Sequence, residues 1–117
     1  MKVSREDLAW ASGLFEGKGC ISGWTVDGHK RYFHTTLSTT DEDVIRKFHL
    51  IVGVGTVTGP FQKAHYKPYW RFRTSSFEEG QALIAVLWSW LGTRRKAKAV
   101  EVLKAVSFLW ASIWSSC

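Results

Sequence analysis

The chain has 117 residues, 45% of them hydrophobic and seven of them Trp, enough apolar side chain for one packed core and too much for a disordered polyelectrolyte. Sixteen Lys and Arg against 10 Asp and Glu leave a net charge of +6, the balance of a protein that meets a polyanion. Cys20 and Cys117 form no CxxC pair, which excludes a disulfide framework and a cysteine-rich zinc module and, with no leader-like start, points to a reducing cytoplasmic setting.

Periodicity along the chain reads as one domain over residues 1–117, with no linker or low-complexity tract. Ser4 and Asp7 are spaced as a capping box, and Leu8, Ala11 and Phe15 mark the apolar stripe of a first helix that stops at Gly17 and Gly19. Two strands follow, Cys20 to Val26 and Arg31 to Ser38, joined at Asp27-Gly28. Thr40 with Asp43 opens a second helix, whose Val44, Ile45, Phe48, Ile51 and Val52 recur at helical spacing up to Gly53. A second strand pair, Gly55 to Phe61 and Tyr69 to Thr74, flanks a basic loop. Ser76 with Glu79 caps a third helix running to Leu91, and a fourth runs from about Thr93 towards the C-terminus. The apolar stretch Val100 to Trp114 is expected to pack across the helical layer, and its longest apolar run, Ala105 to Ile113, is too short to span a bilayer.

The order αββαββαα predicts an α+β fold, a four-stranded antiparallel sheet covered by helices on one face. The charge divides along the same lines. Residues 18–38 hold Lys18, Lys30 and Arg31 against Asp27, residues 54–75 hold Lys63, Lys67, Arg71 and Arg73 with no acid, and everything else is neutral. Alternation with period two turns Phe33, Leu37, Trp70 and Phe72 towards the helices and leaves Tyr32, His34, Thr36, Ser38, Tyr69, Arg71 and Arg73 on the other face. A face of Arg, hydroxyl and aromatic side chains suits a nucleic-acid groove, and it also suits an ordinary solvated sheet.

Ala9, Ser12, Gly13 and Glu16 fall at spacings of three and four on the first helix. Small residues so placed let another helix approach closely, and a helix-interior Gly costs about 1 kcal/mol against Ala, so Gly13 needs such a reason. Packing within the same protomer would supply one equally well.

The segment Ala11-Ser12-Gly13-Leu14-Phe15-Glu16-Gly17-Lys18-Gly19 resembles the motif of the LAGLIDADG homing endonucleases. Cys20-Ile21-Ser22, the Gly53-Val54-Gly55 turn and Trp90 to Lys96 extend the resemblance over nearly the whole chain. In that family two motif helices pack together at the centre, and two saddle-shaped sheets straddle the DNA major groove. A chain with one motif is thereby implied to act as a homodimer through the Ala9, Ser12, Gly13 and Glu16 face, and a two-fold dimer would present two sheets to two half-sites. The implied face for double-stranded DNA comprises Cys20, Ser22, Trp24, Lys30, Tyr32, His34, Thr36, Thr56, Thr58, Arg71 and Arg73. Gln62, Lys63, His65 and Lys67 are implied to touch backbone phosphates.

Family members cut both strands with Mg²⁺ held by the last acid of the motif, because a hard cation takes oxygen ligands. That position here is Lys18, and an ammonium cannot bind Mg²⁺. Glu16 aligns with the motif's earlier acid and is the remaining possible ligand. Arg94 stands in the place of the family's basic active-site residue, with Arg95 and Lys96 beside it in a cluster at a helix start, where the dipole disfavours cations and phosphate contact explains them better. Thr39 lies where the family often has a polar water-positioning residue. Lys18 reads three ways: an inactivating change in a nuclease, a natural loss leaving a DNA-binding protein, or one half of a heterodimer. The expectation is a specific DNA binder that cuts poorly or not at all. The alternative is a non-cleaving DNA-binding regulator or an RNA-splicing maturase on the same fold, for which Trp24, Tyr32 and Tyr69 would be stacking platforms.

Overall fold

The structure, a computed structural model, describes residues 2–26, 30–107 and 113–116, with side chains over 2–23 and 33–101. Its elements are α1 (Arg5–Lys18), β1 (Gly19–Val26), β2 (Lys30–Thr39), α2 (Glu42–Val52), β3 (Thr56–Phe61), β4 (Tyr69–Arg73), α3 (Phe77–Leu87), a 3-10 turn (Trp88–Trp90), α4 (Thr93–Ser107) and β5 (Ile113–Ser116). The architecture is the expected α+β layout, with antiparallel strands in the order β3-β4-β2-β1-β5.

Local chemistry explains most boundaries. Ser4 Oγ accepts from the Asp7 N–H and the Asp7 carboxylate accepts from the Ser4 N–H, so α1 starts on a complete capping box. At its end a Cβ on Gly19 would lie 2.5 Å from the Phe15 ring, so only glycine lets the chain turn directly from helix into β1. The cap of α2 is Asp41 rather than Thr40: its Oδ1 accepts from the Val44 N–H, and Asp is as good an N-cap acceptor as Thr. Gly53 closes α2 at φ 74°. Ser76 caps α3 as expected, but the helix stops at Leu87 and tightens into the 3-10 turn instead of continuing to Leu91.

The strands bury alternate residues. Phe33 and Leu37 of β2, Ile21 of β1 and Phe72 of β4 are buried against Ala11, Phe15, Ile45, Phe48, Leu83, Leu87 and Ala99, with Trp70 partly buried beside them. Phe48 sits edge-on to Phe72 at 4.9 Å. A buried hydroxyl pair stands among these rings: Thr35 Oγ1 and Thr74 Oγ1 are 2.8 Å apart, and the Thr35 N–H donates to Thr74 Oγ1. The Thr74 N–H in turn donates to the Thr35 carbonyl, so both hydroxyls, both N–H groups and the Thr35 carbonyl are satisfied within the pair. His49 Nε2 lies 2.9 Å from the Gly55 carbonyl and ties α2 to the start of β3.

Two further expectations fail. The C-terminal apolar stretch does not lie wholly in the helical layer, because Ile113–Ser116 forms a fifth strand paired antiparallel with β1 over Ile21–Trp24. A β-branched and an aromatic residue followed by two serines suit a short strand better than a helix end. Cys20 is disulfide-bonded, against the expectation of reduced thiols; a single bridge needs only two cysteines close in space, which spacing along the chain does not report, and Cys117 lies outside the described residues. No helix among the described residues is long and apolar enough to cross a membrane.

Candidate nucleic-acid interface

The outer face of β2, β4 and β3 is built by register. Arg73 lies between Thr36 and Thr56, and Arg71 between Ser38 and Thr58. Strand alternation puts all six on one side, and no residue of the described strands is acidic. His34 joins them: the Arg73 guanidinium donates to its Nδ1 at 3.3 Å. Burial holds the His34 pKa below its ordinary value and the Arg73 charge lowers it further. On β1, Ser22 pairs with His34 in register and extends the same face. Side chains of Trp24, Lys30 and Tyr32 lie outside those described.

The basic loop between β3 and β4 is ordered by its own residues. Gln62, assigned to phosphate from the sequence, turns its Nε2 back to donate to the Lys63 carbonyl at 3.2 Å and to the Tyr66 carbonyl. The Tyr66 N–H donates to the Lys63 carbonyl at 2.9 Å, and His65 takes φ 69°. Lys63 and Lys67 are exposed on this frame. Beside them Tyr66, Tyr69, Arg71 and Thr40 line a cavity of about 640 Å³. Tyr66, Thr40 and Phe61 were not singled out from the sequence; the Phe61, Tyr66, Tyr69 spacing within a basic loop was the available signal.

At the same end of the strands, across β2, Lys18 is exposed at the C-terminus of α1 and leads directly into β1. Glu16 points elsewhere. Its Oε2 is 3.9 Å from Arg95 Nε, its carbonyl accepts from Arg95 Nη2 at 3.2 Å, and its Oε1 lies against Gly92, where a Cβ would be 2.6 Å away. Arg95 itself is only 2% exposed and rests 5.9 Å from the centre of the Phe15 ring. A guanidinium so enclosed cannot reach a phosphate without repacking the core, so Arg95 leaves the contact set. Leu91, Arg95 and Ala99 recur every fourth residue and all are buried, which is the pattern that marks Arg95 as inward-facing. Arg94 is exposed, and Lys96 lies over the Trp88 ring at 5.4 Å. Thr39 Oγ1 accepts from the Asp41 N–H, a hydrogen bond that braces the start of α2.

The proposed helix face also divides. Ser12 is buried within the protomer and Glu16 is engaged with α4, whereas Gly13 and Gly17 are exposed, with open space where a Cβ would stand, and Ala9 is half-buried.

The donor set does not fit a divalent cation. Lys18 offers an ammonium, Glu16 holds its carboxylate against Arg95 and Gly92, and among the described residues no three His, Cys, Asp or Glu side chains come together as ligands.

No protein-family model and no curated protein sequence matches the chain. Solved structures do match its fold. The homing endonuclease I-CvuI, in complex with the I-CreI target in the presence of Mg with the DNA not cleaved, shares 21% identity over 91% of this chain and 71% of its own, with a TM-score of 0.68. The LAGLIDADG meganuclease I-CpaMI, bound to uncleaved DNA, shares 16% over 86% of this chain and 35% of its own at a TM-score of 0.66. The group I intron-encoded homing endonuclease I-CeuI, complexed with DNA, shares 14% over 90% of this chain and 55% of its own at 0.65. The chain thus spans about half of I-CeuI and a third of I-CpaMI. With its Ala11–Gly19 nonapeptide ending α1 and its helices backing an open antiparallel sheet, the chain has the fold of the LAGLIDADG homing endonucleases.

Proposed function

We propose that two copies of this chain bind a specific double-stranded DNA site, each sheet laid along one half-site, and that the chain as it stands cuts that site poorly or not at all. The observation that supports it best is the row Thr36, Arg73, Thr56 beside Ser38, Arg71, Thr58: two guanidiniums flanked by hydroxyls on a face with no carboxylate. Arg side chains take guanine edges bidentately and hydroxyls adapt to either base or phosphate, so this face can both position and read a duplex. Lys63, Lys67, Arg94 and Lys96 add phosphate contacts at its margins. One sheet is too short for a long site, which favours a two-fold pair through the exposed Gly13 face of α1. Lys18 places an ammonium where metal-dependent cleavage needs an oxygen ligand, which supports a non-cleaving DNA binder over an active Mg²⁺-dependent nuclease.

Duplexes selected from a random pool test this reading. A long, nearly palindromic site is the expected product; no enrichment, or folded RNA outcompeting the selected duplex, would overturn it. Incubating the selected duplex with protein and Mg²⁺ tests the second half, since efficient double-strand cleavage by the unaltered chain contradicts it.

A further inference from the structure

The cavity at the end of the outer face has a chemistry that paired DNA does not require. Lys63, Lys67 and Arg71 supply three cations around it and Tyr66 and Tyr69 two phenol rings, with no acid among the described residues of its walls. At about 640 Å³ it is within the size range of small-ligand sites. The Arg71 guanidinium rests on an aromatic shelf, 5.4 Å from the Phe61 ring centre and 5.9 Å from that of Tyr69, and these two rings are themselves 5.4 Å apart. Tyr66 is 68% exposed, a large ring in solvent on a backbone tied by Gln62 Nε2 at its carbonyl and by the Lys63 carbonyl at its N–H.

Phosphates of a duplex need cations only, and bases stacked within a duplex offer no ring face to a protein. A base outside the stack offers both faces, and its phosphate stays attached. Thr40 follows the end of β2 where Leu37 pairs with Gly19, so the cavity opens at the end of the sheet nearest Lys18. We propose that it binds a single unpaired nucleotide of a DNA strand, with the base stacked on Tyr66 and Tyr69 and the phosphate held by Lys63, Lys67 and Arg71. This deepens the duplex-binding reading and takes its ligand, DNA, from it.

The test uses the full chain and a short thymidine oligonucleotide carrying one iodouracil, beside an unrelated paired duplex. Ultraviolet crosslinking is expected to join the iodouracil to the peptide containing Tyr66 and Tyr69. Tyr66→Ala should weaken oligonucleotide binding about tenfold, Tyr66→Phe should keep it, and both should bind the paired duplex within about twofold of the unaltered chain. A crosslink elsewhere, or none, while duplex binding persists overturns the proposal. So does an equal loss of duplex and single-strand binding in Tyr66→Ala. Oligonucleotide capture at Tyr66 by a protein that ignores duplexes would sink the duplex reading and leave this site standing.

Discussion

Arg73 donates a hydrogen bond to Nδ1 of His34 at 3.3 Å, so the neutral imidazole must carry its proton on Nε2. Burial and the Arg73 charge both hold the His34 pKa below 6.5 in the folded chain. As pH falls below that value, the unfolded chain takes up a proton that the folded one refuses. Stability is therefore full above the unfolded pKa, declines as pH drops through it, and levels off once the folded pKa is passed. His34→Gln should flatten this slope in urea titrations run between about pH 8 and about pH 5. Parallel slopes in the two proteins would mean that His34 is not the responsible group.

Two helix-interior glycines should respond oppositely to alanine. A Cβ on Gly80 of α3 would press into the buried Phe33 ring and sit 3.1 Å from its carbonyl, so Gly80→Ala should cost about 1–3 kcal/mol. Gly13 has nothing within 4 Å, so Gly13→Ala should stabilise the isolated protomer by about 0.5–1 kcal/mol through helix propensity. If α1 pairs with its copy across Gly13, the same methyl should weaken the dimer. Thermal melts at low concentration and sedimentation velocity separate the two effects. A stabilised protomer with an intact dimer would place the contact on another face.

Arg94 and Arg95 are neighbours with opposite expectations. Arg95→Ala removes a buried guanidinium that holds the Glu16 carbonyl and should cost about 2 kcal/mol or more in unfolding free energy. Arg94→Ala, at an exposed position, should leave stability within about 0.5 kcal/mol and lower DNA affinity, reducing the slope of log affinity against log salt by about 0.9 for one lost phosphate contact. A stable Arg95→Ala protein, or an unchanged salt slope in Arg94→Ala, would contradict these assignments.

What the sequence revealed follows from what is local. Strand alternation placed Phe33, Leu37 and Phe72 inside because period-two burial is written in adjacent residues, and the Ser4–Asp7 box is a contact over three positions. Contacts between distant segments were not legible. Nothing near Thr35 announces Thr74, and nothing at Ile113 announces pairing with Trp24. Arg95 was read with Arg94 and Lys96 as one basic cluster because charge alone does not say which of three consecutive residues a helix turns inward. Gln62 was given to DNA because a polar side chain in a basic loop looks the same whether it meets a phosphate or its own backbone.

Lys18→Glu tests whether the place of the missing acid has been identified. Lys18 is exposed and ends α1, where the helix dipole favours a cation, so the change should cost at most about 1 kcal/mol and leave the fold intact. In a two-fold pair it would supply one carboxylate from each α1, the hard oxygen ligand that Mg²⁺ requires. Glu16 cannot substitute while it is held against Arg95 and Gly92. Lys18→Gln removes the positive charge without adding an acid, and so separates relief of repulsion from gain of a ligand. The expected result is divalent-metal binding by calorimetry and Mg²⁺-dependent cutting of the selected duplex in Lys18→Glu only. If that variant folds and binds DNA but neither takes up metal nor cuts, residue 18 is not where the acid belongs. Equal activity in Lys18→Gln would instead make the ammonium an electrostatic block, with the metal held by other residues.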